Sequence, residues 1–361
     1  MKMNKIKYLF ALALAVAAVS SCLKEEKIVL QKPYTYDEQY FENIRAFKKS
    51  KHTLSYVYYA AWAPVEGVTG YKDPASWGER LRGLPDSLDI VNLWMGYPSP
   101  DPNSENYAPV AYEDMKYMQE TLGTRFVLHG DGASTRDVVY KGDTINIHDT
   151  YNNWKAGNEL SKDTLYKGLD WHVQLMLDKV AEAGLDGVDV DWEPGIPVWK
   201  DHETIMYVMD KLNKALKPQG KLVIIDVFND VPPAEMEPLI DYIVVQRYSH
   251  QRDRRVSQLD NAFAQFGTAV ASKPEKFIVC ETAGTGNYHL DGGGEWLDAE
   301  GNNLYTNNGE KMYSFEGFAR WADENDMAGW GVFYVDRNYY APAGPYYHFR
   351  RAIQIANPSI R

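Results

Sequence analysis

Asp189, Asp191 and Glu193 stand two residues apart in the stretch Asp186-Gly187-Val188-Asp189-Val190-Asp191-Trp192-Glu193-Pro194. Successive side chains of an extended strand point to opposite faces, so the three carboxylates share one face while Val188, Val190 and Trp192 share the other. Like charges in a buried row raise one another's proton affinity and cost stability, so the row suits proton-transfer chemistry better than architecture. The valines and the tryptophan on the opposite face argue for burial. Glu193 comes last. The charges of Asp191 and Asp189 behind it are expected to raise its pKa, keep it protonated near neutrality and make it a general acid.

Such a row works only if something holds it. Apolar, β-rich runs recur at residues 54–60, 90–94, 126–129, 185–194, 222–228, 242–246, 277–281 and 329–334. Segments with helical periodicity separate several of them, at 165–183, 202–217 and 315–326. This alternation predicts parallel βα units, and eight strands predict an α/β fold, a (β/α)8 TIM barrel with a single catalytic domain. An open doubly wound sheet would need a glycine-rich phosphate turn after the first strand, and none is there. The glycine clusters Gly284-Thr285-Gly286 and Gly292-Gly293-Gly294 follow the seventh run without a helix start and read as loop. Between the fifth and sixth runs, Asp230-Val231-Pro232-Pro233 leaves little room for a helix. In a barrel the carboxylate row points inward, with Glu193 at the C-terminal mouth. Long connections after the first, third and seventh runs carry Trp62, Tyr71 and Trp77, then Tyr140, Tyr151 and Trp154, then Tyr288, Trp296 and Tyr305. These aromatic residues are expected to crowd around one cleft at that mouth.

The pattern D-G-x-D-x-D-x-E, five positions out of eight, resembles the signature of glycoside hydrolase family 18, which includes chitinases and endo-β-N-acetylglucosaminidases. The resemblance implies substrate-assisted catalysis without an enzyme nucleophile. Glu193 would protonate the glycosidic oxygen, and the carbonyl oxygen of the substrate's own 2-acetamido group would attack the anomeric carbon. Asp191 would orient that acetamido group and stabilise its positive charge, Asp189 would hydrogen-bond Asp191 and share a proton with it, and Glu193 would then activate water. In the sixth run, Gln246-Arg247-Tyr248 puts Gln246 and Tyr248 on one face. A Tyr at this place in the family hydrogen-bonds the acetamido oxygen, and Gln-x-Tyr resembles the endo-β-N-acetylglucosaminidase branch, whereas many chitinases show Met-x-Tyr-Asp. Chitinases set a Trp under the sugar near the end of the eighth strand; here the candidates are Phe333 and Tyr334, or Trp330 in a shifted register. His129-Gly130-Asp131-Gly132 stands where chitinases carry Ser-x-Gly-Gly, so Asp131 faces the acetamido pocket or forms a polar turn. Tyr58, Asn92 and Trp94 are further candidates for the cleft wall.

The expected activity is therefore cleavage of the chitobiose core (GlcNAc-β-1,4-GlcNAc) of N-linked glycans on glycoproteins, with retention. Alternatives are a chitinase acting on β-1,4-GlcNAc oligomers and a non-catalytic surface glycan-binding protein. Lys2, Lys5 and Lys7 precede an apolar stretch at 8–19 that is too short to span a bilayer. Val19-Ser20-Ser21-Cys22 then resembles a bacterial lipobox, and Lys24-Glu25-Glu26 resembles the export tag of surface lipoproteins in Bacteroides-like bacteria. Residues 1–21 are expected to be a signal peptide, 22–45 a tether lipidated at Cys22, and 46–361 the barrel. These resemblances imply an outer-membrane lipoprotein expected on the cell surface, with the lipid as its sole expected membrane contact. Cys280, within an apolar run, reads as a small core residue, so no disulfide is expected. The 38 Lys and Arg against 50 Asp and Glu give a net charge of -12, which repels nucleic acid. The eight His lack metal-ligand spacing and no Gly-x-Ser-x-Gly elbow is present, so neither metal, cofactor nor serine nucleophile is expected.

Overall fold

Eight parallel strands form a closed barrel in the computed structural model, which describes residues 36–60, 80–94, 96–306 and 308–358. They are β1 (Leu54–Tyr59), β2 (Ile90–Leu93), β3 (Arg125–Asp131), β4 (Gly187–Asp191), β5 (Leu222–Val227), β6 (Tyr242–Gln246), β7 (Phe277–Thr282) and β8 (Gly329–Phe333). Each strand pairs with its neighbours in sequence, and β8 closes the ring on β1. A parallel strand covered on both faces must be apolar nearly throughout, and β5 and β7 are buried along their full length. Tyr56, Val127, Ile224, Val244, Ile278 and Cys280 fill the barrel interior. Val188, Val190, Val223 and Val245 pack outward against the helices. Cys280 is free and buried, as its apolar setting suggested.

The helices Glu159–Ala183, His202–Leu216 and Ser314–Glu324 coincide with the three periodic segments. The first begins six residues before the periodic pattern because its opening turns are solvated, Leu160 among them, and so carry no apolar signal. Gly184 ends it in the left-handed region at φ 65°, where only glycine is unstrained. Asp201 caps the second by accepting from the Thr204 amide. Between β5 and β6 there is only a short 3-10 turn, Ala234–Leu239.

Two expectations change. Residues 38–45 are not tether: the helix Glu38–Lys49 packs Phe41 and Ile44 onto the core. Tyr40 donates to Asp86 at 2.8 Å and Arg45 to the Thr121 carbonyl at 2.9 Å. No residue of this helix is fully buried, which is why its sequence looks like linker. The connection after β3 is also built rather than loose, with a hairpin pairing Asp137–Tyr140 to Asp143–Asn146, followed by the helix Ile147–Lys155. Cys22, Trp62, Tyr71 and Trp77 lie outside the described residues.

The carboxylate strand enters the barrel at Gly187, whose φ is 155°. A Cβ there would overlap the Leu222 carbonyl of β5. Gly187→Ala is therefore expected to lower the thermal midpoint by roughly 5 °C or more, read by circular dichroism.

Candidate active site

β4 delivers its carboxylates by alternation and register. Asp189 is fully buried, Asp191 lies at the strand end, and Glu193 is exposed just beyond it. The Trp192 amide still donates to the Asp226 carbonyl at 2.9 Å, so the backbone stays extended past the last strand residue. The Trp192 indole, on the outer face, donates to the Trp199 carbonyl at 2.9 Å and anchors the turn. Above Asp189 a cavity of about 300 Å³ opens at the C-terminal ends of the strands. Asp191, Glu193, Asp226, His129 and Gln246 supply its polar lining, and Tyr58, Trp94, Phe228, Tyr248 and Phe333 most of the rest.

No hydrogen bond joins Asp189 to Asp191, on which it acts only through its charge. The Asp189 carboxylate is taken up by β1 and β2 instead. Its Oδ2 accepts from the Tyr56 hydroxyl, from Asn92 Nδ2 at 2.8 Å and from the Tyr58 hydroxyl at 3.4 Å. Asn92 thus works beneath the cleft, not on its wall, and Tyr58 both lines the cleft and reaches Asp189. Burial raises Asp189 to about 6, against the pull of these donors.

What stands against Asp191 is Asp226 of β5, its register partner. Oxygens of Asp191, Glu193 and Asp226 all lie within 4.8 Å of one another. Burial, followed by the Glu193 charge, raises Asp191 to about 7. Burial, followed by the charges of Asp191 and Asp189, holds Asp226 well above the ordinary carboxyl range. Gln246 Nε2 donates to Asp226 at 2.6 Å. Among the described residues this is the one group of acids close enough to share a cation, and Gln246 already donates to one of the Asp226 oxygens. His129 brings Nε2 to 3.6 Å from Asp191, and burial lowers its pKa to about 4, so it is a neutral imidazole there. Sequence reasoning passed over Asp226, yet a signal exists. It is the lone charge in Val223-Ile224-Ile225-Asp226-Val227, on the inward alternation with Ile224.

The aromatic wall comes from strand ends. Tyr248 stacks on Phe333 at 5.9 Å, and Phe333 meets Tyr58 at 5.5 Å and Trp94 at 5.0 Å edge on. Tyr334 sits behind Trp94 at 4.9 Å, outside the cavity lining. Trp330 points out of the barrel onto Phe349, so the register leaves Phe333 as the aromatic beneath the cavity. Asp131 faces its own turn, accepting from the Ala133 and Ser134 amides at 2.7 and 3.1 Å and from the Thr135 hydroxyl. Burial pushes its pKa up, but these donors outweigh it and the carboxyl ends below its ordinary value. The expected crowd of loop aromatics does not form among the described residues. Trp296 is buried against Phe318, Tyr151 donates to Asp201, Trp154 stacks under Lys155, and Tyr288 bonds Ser249. These loops fold into elements of their own, whose aromatic side chains serve local packing.

Residues 18–355 match the model of the glycoside hydrolase family 18, BT1044-like group. The chain belongs to glycoside hydrolase family 18. It is 24% identical over 356 residues to endo-beta-N-acetylglucosaminidase F2 of Elizabethkingia meningoseptica, covering 92% of this chain and 90% of that one. Among solved structures it resembles a selenomethionine variant of BT1044, with a TM-score of 0.67 and 20% identity over 89% of this chain and 93% of that one. It also resembles the Cordyceps militaris endo-beta-N-acetylglucosaminidase in complex with fucosyl-N-acetylglucosamine-Asn, with a TM-score of 0.60 and 17% identity over 90% and 98% of the two chains. A chitinase of Bacteroides thetaiotaomicron follows at a TM-score of 0.54 and 14% identity over 86% and 99%. The family makes this protein a glycoside hydrolase, and the shared fold is the eight-stranded barrel found here.

For this family 18 barrel the buried acids set a direction for stability. Asp189, Asp191 and Asp226 hold protons in the folded state that an unfolded chain releases near pH 4. Their contribution is fully present below about pH 4 and is lost as pH rises through about 6 and 7. Asp226→Asn removes part of that loss. Its thermal midpoint should exceed the wild type's by roughly 2–4 °C at pH 8 and match it near pH 4, measured by calorimetry.

Proposed function

We propose that this protein is an endo-β-N-acetylglucosaminidase that cleaves the GlcNAc-β-1,4-GlcNAc chitobiose core of N-linked glycans on glycoproteins, by substrate-assisted catalysis with retention. The observation that carries this reading is the pairing of an exposed Glu193 with Asp191 directly beneath it, beside Gln246 and Tyr248. Glu193 has no hydrogen-bond or ion-pair partner among the described residues, so its carboxyl is available to a glycosidic oxygen. Asp191 lies too near it for inversion: their oxygens are within 4.8 Å, whereas inverting pairs stand about 6.5–9.5 Å apart to admit a water. In the proposed first step Glu193 gives its proton to the leaving oxygen as the acetamido oxygen attacks the anomeric carbon, forming a cyclic oxazolinium ion. Asp191 accepts from the acetamido N–H and offsets the charge that develops there. In the second step Glu193 takes a proton from water, which opens the ring and restores the β-configuration.

Tyr248 suits the acetamido oxygen because no protein group among the described residues takes its hydroxyl. Phe333 and Trp94 offer the apolar faces on which sugar rings stack. Similarity to endo-beta-N-acetylglucosaminidase F2 across nine-tenths of both chains favours N-glycans over chitin, as does the Gln246-x-Tyr248 pattern. The segment ending at Cys22 further supports a lipid-anchored, surface-exposed enzyme placed where host glycoproteins arrive, and among the described residues no helix is long and apolar enough to cross a membrane.

Glu193→Gln is expected to lower glycan release from a glycoprotein at least about 1,000-fold with an unchanged circular dichroism spectrum; near wild-type turnover would remove Glu193 from its role. Tyr248→Phe should cost roughly 10- to 100-fold in kcat with little change in KM, since it loses a contact that strengthens in the transition state. Mass spectrometry of products from N-glycoproteins and from chitin oligomers, run side by side, tests the substrate. Intact glycans lacking one core GlcNAc support the proposal, and cleavage of chitin oligomers alone overturns it.

A further inference from the structure

Two facing carboxylates in the barrel each keep one oxygen without a donor. Asp191 Oδ1 and Asp226 Oδ2 are both buried and unpartnered, as is Asp189 Oδ1 deeper on β4. Asp191 and Asp226 are opposite each other in the β4–β5 register, and Asp226 is fully inaccessible to solvent. Two bare carboxylates cannot stay this close in a low-dielectric interior, whereas one proton between them gives both oxygens a partner. The other groups facing the pair supply no such proton. Asp189 on β4 accepts on Oδ2 from Tyr56, Asn92 and Tyr58, and the Tyr58 hydroxyl, which keeps its own proton, also bears on Asp226. His129 on β3 is neutral beside Asp191, and Asp131 is closed into its turn. Gln246 on β6 donates to the opposite oxygen of Asp226, Tyr248 beyond β6 and Cys280 on β7 stay protonated, and Glu193 at the mouth faces the substrate.

We propose that Asp226 is a positioning residue that carries this proton and donates it to Asp191, so that Asp191 meets the substrate acetamide as an oriented carboxylate. The inference rests on the proposed acetamido chemistry and moves the proton-sharing role from Asp189 to Asp226. The pair holds one proton and one negative charge throughout turnover, and none is consumed. Gln246 has a second function on this account. Its amide, committed to Asp226 Oδ1, leaves Oδ2 free to be the protonated oxygen.

The test compares Asp226→Asn, Asp226→Ala and Asp189→Asn in the full chain by two readouts. Infrared spectroscopy reads the C=O stretch of a protonated buried carboxyl above pH 7, independently of turnover. That band is expected in the wild type, lost in Asp226→Asn and kept in Asp189→Asn. Glycan release reads the hydrogen bond itself. Asp226→Asn, which keeps a donor at this position, should hold kcat within about 10-fold of wild type, while Asp226→Ala loses about 100-fold or more, both with KM within about threefold because Asp226 is fully buried. A band absent from the wild type, surviving in Asp226→Asn or abolished by Asp189→Asn overturns the inference, as does an equal loss of kcat in the two position-226 variants. A wild type that shows the band pattern but releases no glycan would leave Asp226 as the proton carrier and bring down the proposed function instead.

Discussion

The constraint on which this structure depends is the burial of carboxylates side by side at one end of a parallel barrel. Asp189, Asp191 and Asp226 sit among Tyr56, Ile224, Val244 and Ile278, in an interior that would otherwise be apolar. Each charge there costs desolvation, and each neighbour of like sign adds to it. The fold answers with donors aimed from adjacent strands: Tyr56, Tyr58 and Asn92 for Asp189, and Gln246 for Asp226. Asp191 is left as the least satisfied acid, next to the open cavity.

That arrangement links architecture to chemistry. A barrel strand must be apolar outward to seat helices, so Val188, Val190 and Trp192 hold β4 rigid while its other face carries the acids. The depth of each acid follows from its position along the strand. Asp189 is sealed, Asp191 borders the cavity, and Glu193 reaches solvent past the last paired residue. A gradient of burial along one strand thereby gives three identical chemical groups three different environments. The aromatic shelf of Tyr248, Phe333 and Trp94 comes from the same geometry, because strand ends converge on the mouth from all sides.

Much of this was legible in the residues. The eight runs and the carboxylate row follow from alternation and periodicity, which are local properties of the chain. So does the burial of Cys280, which lies within an apolar run. The helix Glu38–Lys49 was hidden because its contacts with the core are partial and its sequence is charged. The loop aromatics misled for a related reason: composition shows that Trp296 and Tyr151 are present, but not that Phe318 and Asp201 are waiting for them.

By itself the sequence determined the barrel, the strand that bears the acids and their order from deep to exposed, because each is a consequence of period-two spacing within one segment. Only the tertiary structure decided which acid faces which. Asp189 and Asp191 share one strand face, yet Asp189 is taken by donors of β1 and β2, while Asp191 and Asp226, on different strands, are brought opposite each other by the register of β4 on β5. Register is a relation between strands, and no single segment carries it.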